Sequence, residues 1–93
     1  MDRLNKKDLV DFISEENHIT KVEAKDIVEN IFRHIEDALI EGKEVNLSNF
    51  GVLVPITRKA RVGTDPKKHQ KITIKETKSI SFRASKLLKD RMN

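Results

Sequence analysis

The chain has 93 residues, no cysteine, and a formal net charge of +4 with 37% charged residues. This length fits a single domain, and the absence of cysteine excludes disulfide bonds and thiolate metal sites. The first residues are charged and no apolar run follows them, so the sequence predicts neither a signal peptide nor a membrane anchor, and we expect a cytoplasmic protein.

Two helices are predicted in the first part of the chain. Asn5 is a favourable N-cap for a short first helix. Thr20 and Glu23 have the spacing of a capping box and predict that a second helix starts there and covers about residues 21–41. Gly42 is a typical residue just beyond a helix C-terminus, so we expect it to end this helix.

The apolar face of the second helix is too wide for one short helix to cover. Its members recur three or four residues apart and are Ala24, Ile27, Val28, Ile31, Phe32, Ile35, Ala38 and Leu39. A small chain with such a face favours a homodimer in which two copies share one core. The alternative is packing against a sheet of the same chain. The residues expected in the dimer core are Ile31, Phe32, Ile35 and Leu39.

Short alternating segments follow Gly42 and predict strands. They cover residues 43–47, 52–57, 72–75 and 79–83. Phe50, at the expected opening of the second strand, and Phe82 are two of only four aromatic residues, and we expect both in the dimer core. Pro55 lacks an N–H group, so it is expected at an edge, a bend or a bulge.

A final short helix is predicted over about residues 85–91. Its spacing predicts an inward apolar face made by Leu87, Leu88 and Met92. The cations of the same segment, Lys86, Lys89 and Arg91, then fall on the outward side.

The segment from Arg58 to Lys75 carries seven Lys/Arg residues and one acidic residue, Asp65. It is too polar to offset its own ordering entropy by burial, so it is expected to be mobile when alone. Predicted strands flank it, and Gly63 and Pro66 are turn residues. The sequence therefore predicts a long two-stranded hairpin, called the arm below, over about residues 57–75.

Charge is divided unevenly along the chain. Residues 1–42 contain 6 Lys/Arg and 11 Asp/Glu, which gives 6 − 11 = −5, and residues 43–93 contain 13 and 4, which gives 13 − 4 = +9. A solvated surface explains the acidic part well. The clustered cations of the basic part instead predict a polyanionic partner.

Five short motifs occur in one order along the chain. They are N-K-K-D-L at 5–9, E-x-A-L-x-x-G-K-x-V at 36–45, N-F-G at 49–51, R-x-x-R-x-G-x-D-P at 58–66 and S-F-R-A-S-K-x-L-K at 81–89. With them, the chain resembles the HU/IHF family of bacterial histone-like DNA-bending proteins over essentially its whole length.

The resemblance implies an α+β fold in an intertwined homodimer. Residues 1–42 would form the helical dimerisation base and residues 43–83 a three-stranded sheet saddle, which includes the arm. Residues 84–93 would form the C-terminal helix. Two long β-hairpin arms would then bind double-stranded DNA.

The resemblance also implies which residues contact DNA. Pro66 would be an apolar wedge that intercalates between base steps, and the alternative is an ordinary turn proline. Arg58 and Arg61 would line the minor groove or its phosphates. The other implied contacts are Lys6, Asn49, Gly51, Lys59, Lys67, Lys68, Lys71, Lys75, Lys78, Arg83, Lys86 and Lys89.

The sequence departs from the family pattern near the arm tip. Thr64 and Asp65 stand where family members commonly have arginine and asparagine, and Lys67-Lys68-His69 replaces a polar tip that usually contains glycine. Pro55 is also unexpected within the strand. These departures bear on the depth of insertion and the bend angle more than on DNA binding.

No chemistry of catalysis is indicated. His18, His34 and His69 lack metal-ligand spacing, and no Gly-rich phosphate loop or nucleophile motif occurs. We therefore expect no enzyme activity, cofactor, metal, small-molecule ligand or membrane contact.

The predicted function is largely sequence-independent binding, bending and compaction of duplex DNA in the nucleoid. One alternative is a site-specific bender of the IHF type. A second, from another class, is a structural or interaction protein whose basic arm binds an acidic partner or anionic lipid.

Overall fold

The structure is a computed structural model that describes residues 2–64, 67 and 70–93. In these residues it contains α1 (Lys6–Asn17), α2 (Lys21–Ile40), β1 (Val45–Leu47), β2 (Gly51–Arg58), β3 (Arg61–Thr64), β4 (Lys71–Ile74), β5 (Thr77–Ala84) and α3 (Lys86–Met92). The α+β class is therefore confirmed. The chain divides into two compact units, residues 1–37 and 38–93.

Both predicted helix starts in the first unit are confirmed by local hydrogen bonds. The N–H of Asn5 donates to the Asp8 carboxylate at 2.8 Å, directly before α1. The N–H of Glu23 donates to Thr20 Oγ1 at 3.1 Å, and the Thr20 hydroxyl donates to the Glu23 carboxylate at 3.0 Å. These bonds satisfy N–H groups that have no partner within the first helical turn.

The turn between α1 and α2 is held by Ser14. His18, which follows α1, has a left-handed backbone with φ of 53°, and its N–H donates to the Ser14 carbonyl. The N–H of Ile19 donates to the same carbonyl at 3.1 Å, and the buried Ser14 hydroxyl donates to the Ile19 carbonyl at 2.7 Å. An ion pair between Asp11 and Lys21, at 3.4 Å, also joins the two helices.

The second unit contains a three-stranded antiparallel sheet in the order β1-β2-β5. The second strand was expected to open at Phe50-Gly51, and it starts at Gly51, because residues 48–50 form a turn. The N–H of Phe50 donates to the Leu47 carbonyl at 2.9 Å, which closes this turn and takes Phe50 out of the ladder. Asn49 has a φ of 66°, a left-handed conformation that asparagine tolerates better than most residues.

Pro55 lies within the central strand of this sheet, opposite Ile80 of β5. β1 pairs with β2 only from Gly51 to Leu53. Within the described residues, β2 therefore has an open flank at Pro55, where no neighbouring strand requires an N–H. The expectation of an edge, a bend or a bulge is therefore wrong for the strand as a whole, and the central position is tolerated because β1 is too short to pair beside Pro55.

A second, two-stranded antiparallel sheet pairs β3 with β4. The β2–β5 ladder ends at the pair of Arg58 with Thr77, and the β3–β4 ladder begins at the pair of Arg61 with Ile74. Two residues on each strand separate these pairs, so the register continues without an inserted residue. The two ladders thus belong to one hairpin.

Helix α3 begins where Ser85 accepts a hydrogen bond from the N–H of Leu88 at 3.0 Å. The inward placement expected for Leu87 and Met92 is wrong for the single chain, because these side chains are 47% and 77% exposed. Leu88 alone is half-buried.

The described chain buries little apolar surface by itself. Its buried hydrophobic residues are Ala24 and Val28. Of the six residues expected in the dimer core, Ile35 and Leu39 are half-buried, whereas Ile31, Phe32, Phe50 and Phe82 are exposed by 41–53%. Among the described residues, no helix has the length and hydrophobicity to cross a membrane.

Candidate nucleic-acid interface

The arm is built on the continuous hairpin described above. β-Branched residues occur on both of its distal strands, with Val62 opposite Thr73 and Gly63 opposite Ile72. A Cβ atom at Gly63 would lie 3.0 Å from Cδ1 of Ile74, so the glycine leaves space for that half-buried side chain. This local packing keeps the two strands of the arm paired where it has no core beneath it.

Six cations on the described part of the hairpin, all outside its tip, are exposed and lack carboxylate partners. Within the described residues, no ion pair forms at Arg58, Lys59, Arg61, Lys71, Lys75 or Lys78. Glu76 is the only acidic residue between 57 and 78 apart from Asp65, which lies outside the described residues. An uncompensated row of positive charge produces a potential that attracts polyanions.

The tip of the arm is described only at Lys67, which lies in a turn. Four tip residues with expected roles or departures, Asp65, Pro66, Lys68 and His69, lie outside the described residues. The wedge role of Pro66 and the phosphate contact of Lys68 therefore remain predictions.

A turn next to the sheet carries two further predicted contacts, Asn49 and Gly51. The amide of Phe50 between them is not available to a phosphate, because it donates to the Leu47 carbonyl. Gly51 is buried, and the carbonyl of Phe50 accepts the N–H of Ser85 at 2.9 Å. Within the described residues the N–H of Asn49 makes no hydrogen bond, so Asn49 keeps its donor for a ligand.

Three predicted cations lie on β5 and α3 in the same unit. Arg83 is paired across the sheet with Val52. Lys86 and Lys89 are three residues apart on α3 and therefore share one side of it. All three are exposed, and none forms an ion pair in the described part of the chain.

Lys6 differs from the other predicted contacts because it lies in the first unit and has an acidic partner. Its Nζ is 3.8 Å from the Glu29 carboxylate. The two side chains are 54% and 35% exposed, so this ion pair is weak and salt-sensitive.

Sequence reasoning did not single out Lys7 and Lys25. Together with Lys6, Val10 and Glu29 they line a concavity of about 310 Å³ in the first unit. Lys7 follows Lys6 in sequence, but Lys25 comes from the next helix. Only the packing of α1 on α2 brings these cations together, so no sequence spacing indicated the cluster.

A paired, cationic β-ribbon joined to a small antiparallel sheet is typical of a protein that binds a polyanion. Such a protein contacts the negative charges on the backbone of the polyanion. The family model described as bacterial DNA-binding protein matches residues 4–93, and the chain belongs to this family. It is the family to which the HU and IHF proteins belong, and its members are architectural DNA-binding proteins rather than enzymes.

Individual relatives agree with this assignment. The chain is 34% identical over 89 residues to integration host factor subunit alpha of Paracoccus denitrificans, covering 96% of this chain and 87% of that protein. It resembles Anabaena HU in a cocrystal structure with DNA, with 34% identity, a TM-score of 0.80, and coverage of 96% of this chain and 97% of the other.

A third comparison supports the fold alone. A mutant HU from Thermotoga maritima is 23% identical, with a TM-score of 0.67 and coverage of 97% of this chain and 100% of the other.

Proposed function

We propose that the protein is a homodimer that binds duplex DNA largely without regard to sequence and bends it. The observation that carries this proposal is the hairpin from β2–β5 to β3–β4, which keeps one register and, in its described residues outside the tip, presents exposed cations without acidic partners. Contacts to phosphates and to the minor groove contain little information about base identity. The protein would then act in the cytoplasm on the nucleoid, where it compacts DNA.

Bending would come from the arm tips. A rigid apolar ring at Pro66 can enter between base steps, and the arm cations can hold the phosphates that close around it. Proteins that act this way, IHF and HU among them, kink DNA by about 20–90°. The DNA complex of the Anabaena HU relative supports DNA as the ligand of this chain.

Dimerisation is supported by the apolar surface of the single chain. Ile31, Phe32, Phe50 and Phe82 are all more than 40% exposed, although they are large hydrophobic residues. A chain of 93 residues buries a smaller fraction of its surface than a larger domain does, so large apolar side chains left exposed make its stability alone marginal. A second copy that covers these side chains would complete the core.

A site-specific bender is the second candidate, and the integration host factor relative favours it. Specificity in such a protein would require base contacts or strong dependence on DNA deformability. Selection of bound duplexes from a random pool separates the two functions. A strong consensus among the bound sequences would favour site-specific bending over the proposed function. A flat distribution of bound sequences would support the proposed, sequence-independent function.

Binding of an acidic protein or anionic lipid is the candidate from another class. The same cations would serve it, so charge alone does not discriminate. Titration of the protein with duplex DNA, with an acidic peptide and with anionic vesicles distinguishes these partners. Absence of DNA binding at moderate salt would remove the proposed function.

Salt dependence is the most direct test of the binding mode. With about 8–10 phosphate contacts per dimer, affinity for duplex DNA should fall by about 10³–10⁵ between 50 and 200 mM salt. Gel-shift titrations with linear, nicked and gapped duplexes measure this and show the preferred substrate. A salt-independent affinity would contradict binding through phosphates.

A further inference from the structure

The central strand β2 has no neighbour on one flank over its second half. β1 pairs only with Gly51–Leu53, whereas the ladder with β5 continues to Arg58. The chain just before β1 is used at the end of α2, where the N–H of Lys43 donates to the Ala38 carbonyl at 2.9 Å. Within the described residues, the flank of β2 beside residues 54–58 therefore faces no strand, and we call it the open flank.

The backbone nitrogen of Pro55 points to the open flank. The carbonyl of Phe50 accepts the N–H of Ser85, the residue after β5, at 2.9 Å, so this carbonyl points to the β5 side. The N–H of Gly51 is antiparallel to that carbonyl across a planar trans peptide, so it points to the β1 side. The nitrogens of Leu53 and Pro55 point the same way, because backbone groups alternate along a strand. Proline therefore costs the β2–β5 ladder no hydrogen bond and removes a donor from the open flank.

The sequence around Pro55 is otherwise well suited to pairing with a further strand. Residues 45–57 contain no charged side chain, although 37% of the chain is charged. β-Branched residues, which favour strands, surround the proline at Val54, Ile56 and Thr57. Short uncharged segments of this kind pair with other strands unless a charge or a proline interrupts them. Strand edges are usually protected by one of these two means, and in this stretch only the proline is present.

An apolar concavity beside the open flank would add burial to such pairing. It has a volume of about 390 Å³ and lies within the second unit, between the end of α2 and the strands β2 and β5. Its lining includes Ile40 and Ile80, which are 78% and 53% exposed. A strand added at the open flank would cover part of this apolar surface, which favours its addition.

We propose that Pro55 blocks strand addition at the open flank, and that the strand it excludes is β2 of a further copy of this chain. Two copies of residues 52–57 can meet antiparallel, because each presents the same unpaired edge and the same apolar side chains. Pro55 lies within this segment, where it offers no N–H and places its ring Cδ atom where the hydrogen would lie. The proline thus limits association of copies beyond the dimer, and this role does not depend on DNA binding.

Pro55→Val tests the proposal, because valine restores the N–H group and favours strands more strongly than alanine does. In sedimentation velocity without DNA, the sedimentation coefficient of this variant should rise with concentration beyond the largest value of the native protein. Far-ultraviolet circular dichroism should show that the helix content is unchanged. Pro55→Thr restores the same N–H group with a polar β-branched side chain, so it should associate as well.

Two further variants separate strand pairing from the effect of an added apolar side chain. Thr57→Val is the matched control, because it adds valine two residues from Pro55 and leaves the proline in place. It should sediment like the native protein. Pro55→Val combined with Thr57→Pro moves the proline to a residue whose nitrogen also points to the open flank. This double variant should return to the native sedimentation coefficient.

Native sedimentation of both Pro55→Val and Pro55→Thr would overturn the proposal, and so would association that persists in the double variant. Equal association of Thr57→Val would assign the effect to apolar surface instead of the missing N–H group. If Pro55→Val associates only with loss of helix content, Pro55→Thr with native helix content decides between strand pairing and unfolding. Failure of either substitution to associate in a folded state contradicts the proposal and leaves the proposed DNA binding untouched.

Discussion

At the scale of single residues, Gly51 leaves the space in which the Phe82 ring packs against the sheet. A Cβ atom at this position would lie 2.5 Å from two ring carbons of Phe82 and 2.6 Å from the carbonyl oxygen of Arg83. The Phe82 ring in turn packs on Phe50, with ring centroids 5.6 Å apart and planes tilted by 50°. Glycine is therefore required by close approach of the ring, since its backbone is not left-handed.

Gly51→Ala should destabilise the protein by about 1–3 kcal/mol, because the added methyl group forces the Phe82 ring or the backbone at Arg83 to shift. Urea unfolding followed by circular dichroism measures the change in the free energy of unfolding. Gly63→Ala is the control, because the nearest neighbour of its Cβ would be the flexible end of Ile74 at 3.0 Å, with Ile72 in ordinary contact at 4.0 Å. Equal effects of the two substitutions would contradict this account.

At the scale of elements, the hairpin brings its cations into one row because its two ladders keep a common register. Strand residues rise by about 3.3 Å, so Arg58 and Arg61 are separated by about 10 Å along the strand. This is comparable to the Debye length at 0.1 M salt, about 10 Å. Each arginine can then contact its own part of a polyanion.

Arg58→Ala with Arg61→Ala should weaken binding to all duplex sequences alike. A dimer would have four fewer cations, and the slope of log affinity against log salt should fall by about 1 for each phosphate that is no longer neutralised. Binding isotherms at several salt concentrations, on duplexes of different sequence, measure both effects. Weakening confined to one sequence would show that these arginines read bases.

Pro66→Ala should keep most of the affinity and reduce the bend, because the cations still bind phosphates while the rigid wedge is absent. Energy transfer between labelled duplex ends reports the bend separately from binding. Pro55→Ala is the control, because it replaces the other proline of the chain, which lies outside the arm. An unchanged end-to-end distance for Pro66→Ala would refute the wedge.

Elements were predictable from sequence where the signal is local. Asn5 and Thr20 mark helix starts through hydrogen bonds within one turn, and both helices begin where expected. The position of Pro55 depends on how far β1 extends, which is a property of another segment. The break in strand pairing between Arg58 and Arg61 could not be predicted from the sequence. The register there places Lys59 opposite Glu76, a favourable charge pair, but the structure does not form this ion pair.

At the scale of the whole molecule, the apolar stripe of α2 was predictable but its partner was not. Periodicity shows that Ile31 and Phe32 lie on an apolar face, whereas burial by the same chain or by a second copy gives the same pattern. Their exposure of 53% and 41% in the single chain favours the second copy. Sequence spacing also could not predict a cluster of cations from separate helices, such as Lys6 with Lys25.

Thermal unfolding should depend on protein concentration, because folding and dimerisation are coupled in such a molecule. A tenfold dilution changes the free energy by about 1.4 kcal/mol per mole of dimer, which should lower Tm by a few degrees. Calorimetry over a range of concentrations, with sedimentation at each, tests this. A Tm independent of concentration, with monomers in sedimentation, would contradict the shared core.

The central claim is that a dimer bends duplex DNA with its two arms. Energy transfer between dyes at the two ends of a short duplex tests it most directly, as the native protein is titrated in at moderate salt. The account predicts that the ends approach each other and that the change saturates at one dimer per duplex. Saturated binding with unchanged end-to-end distance would contradict it.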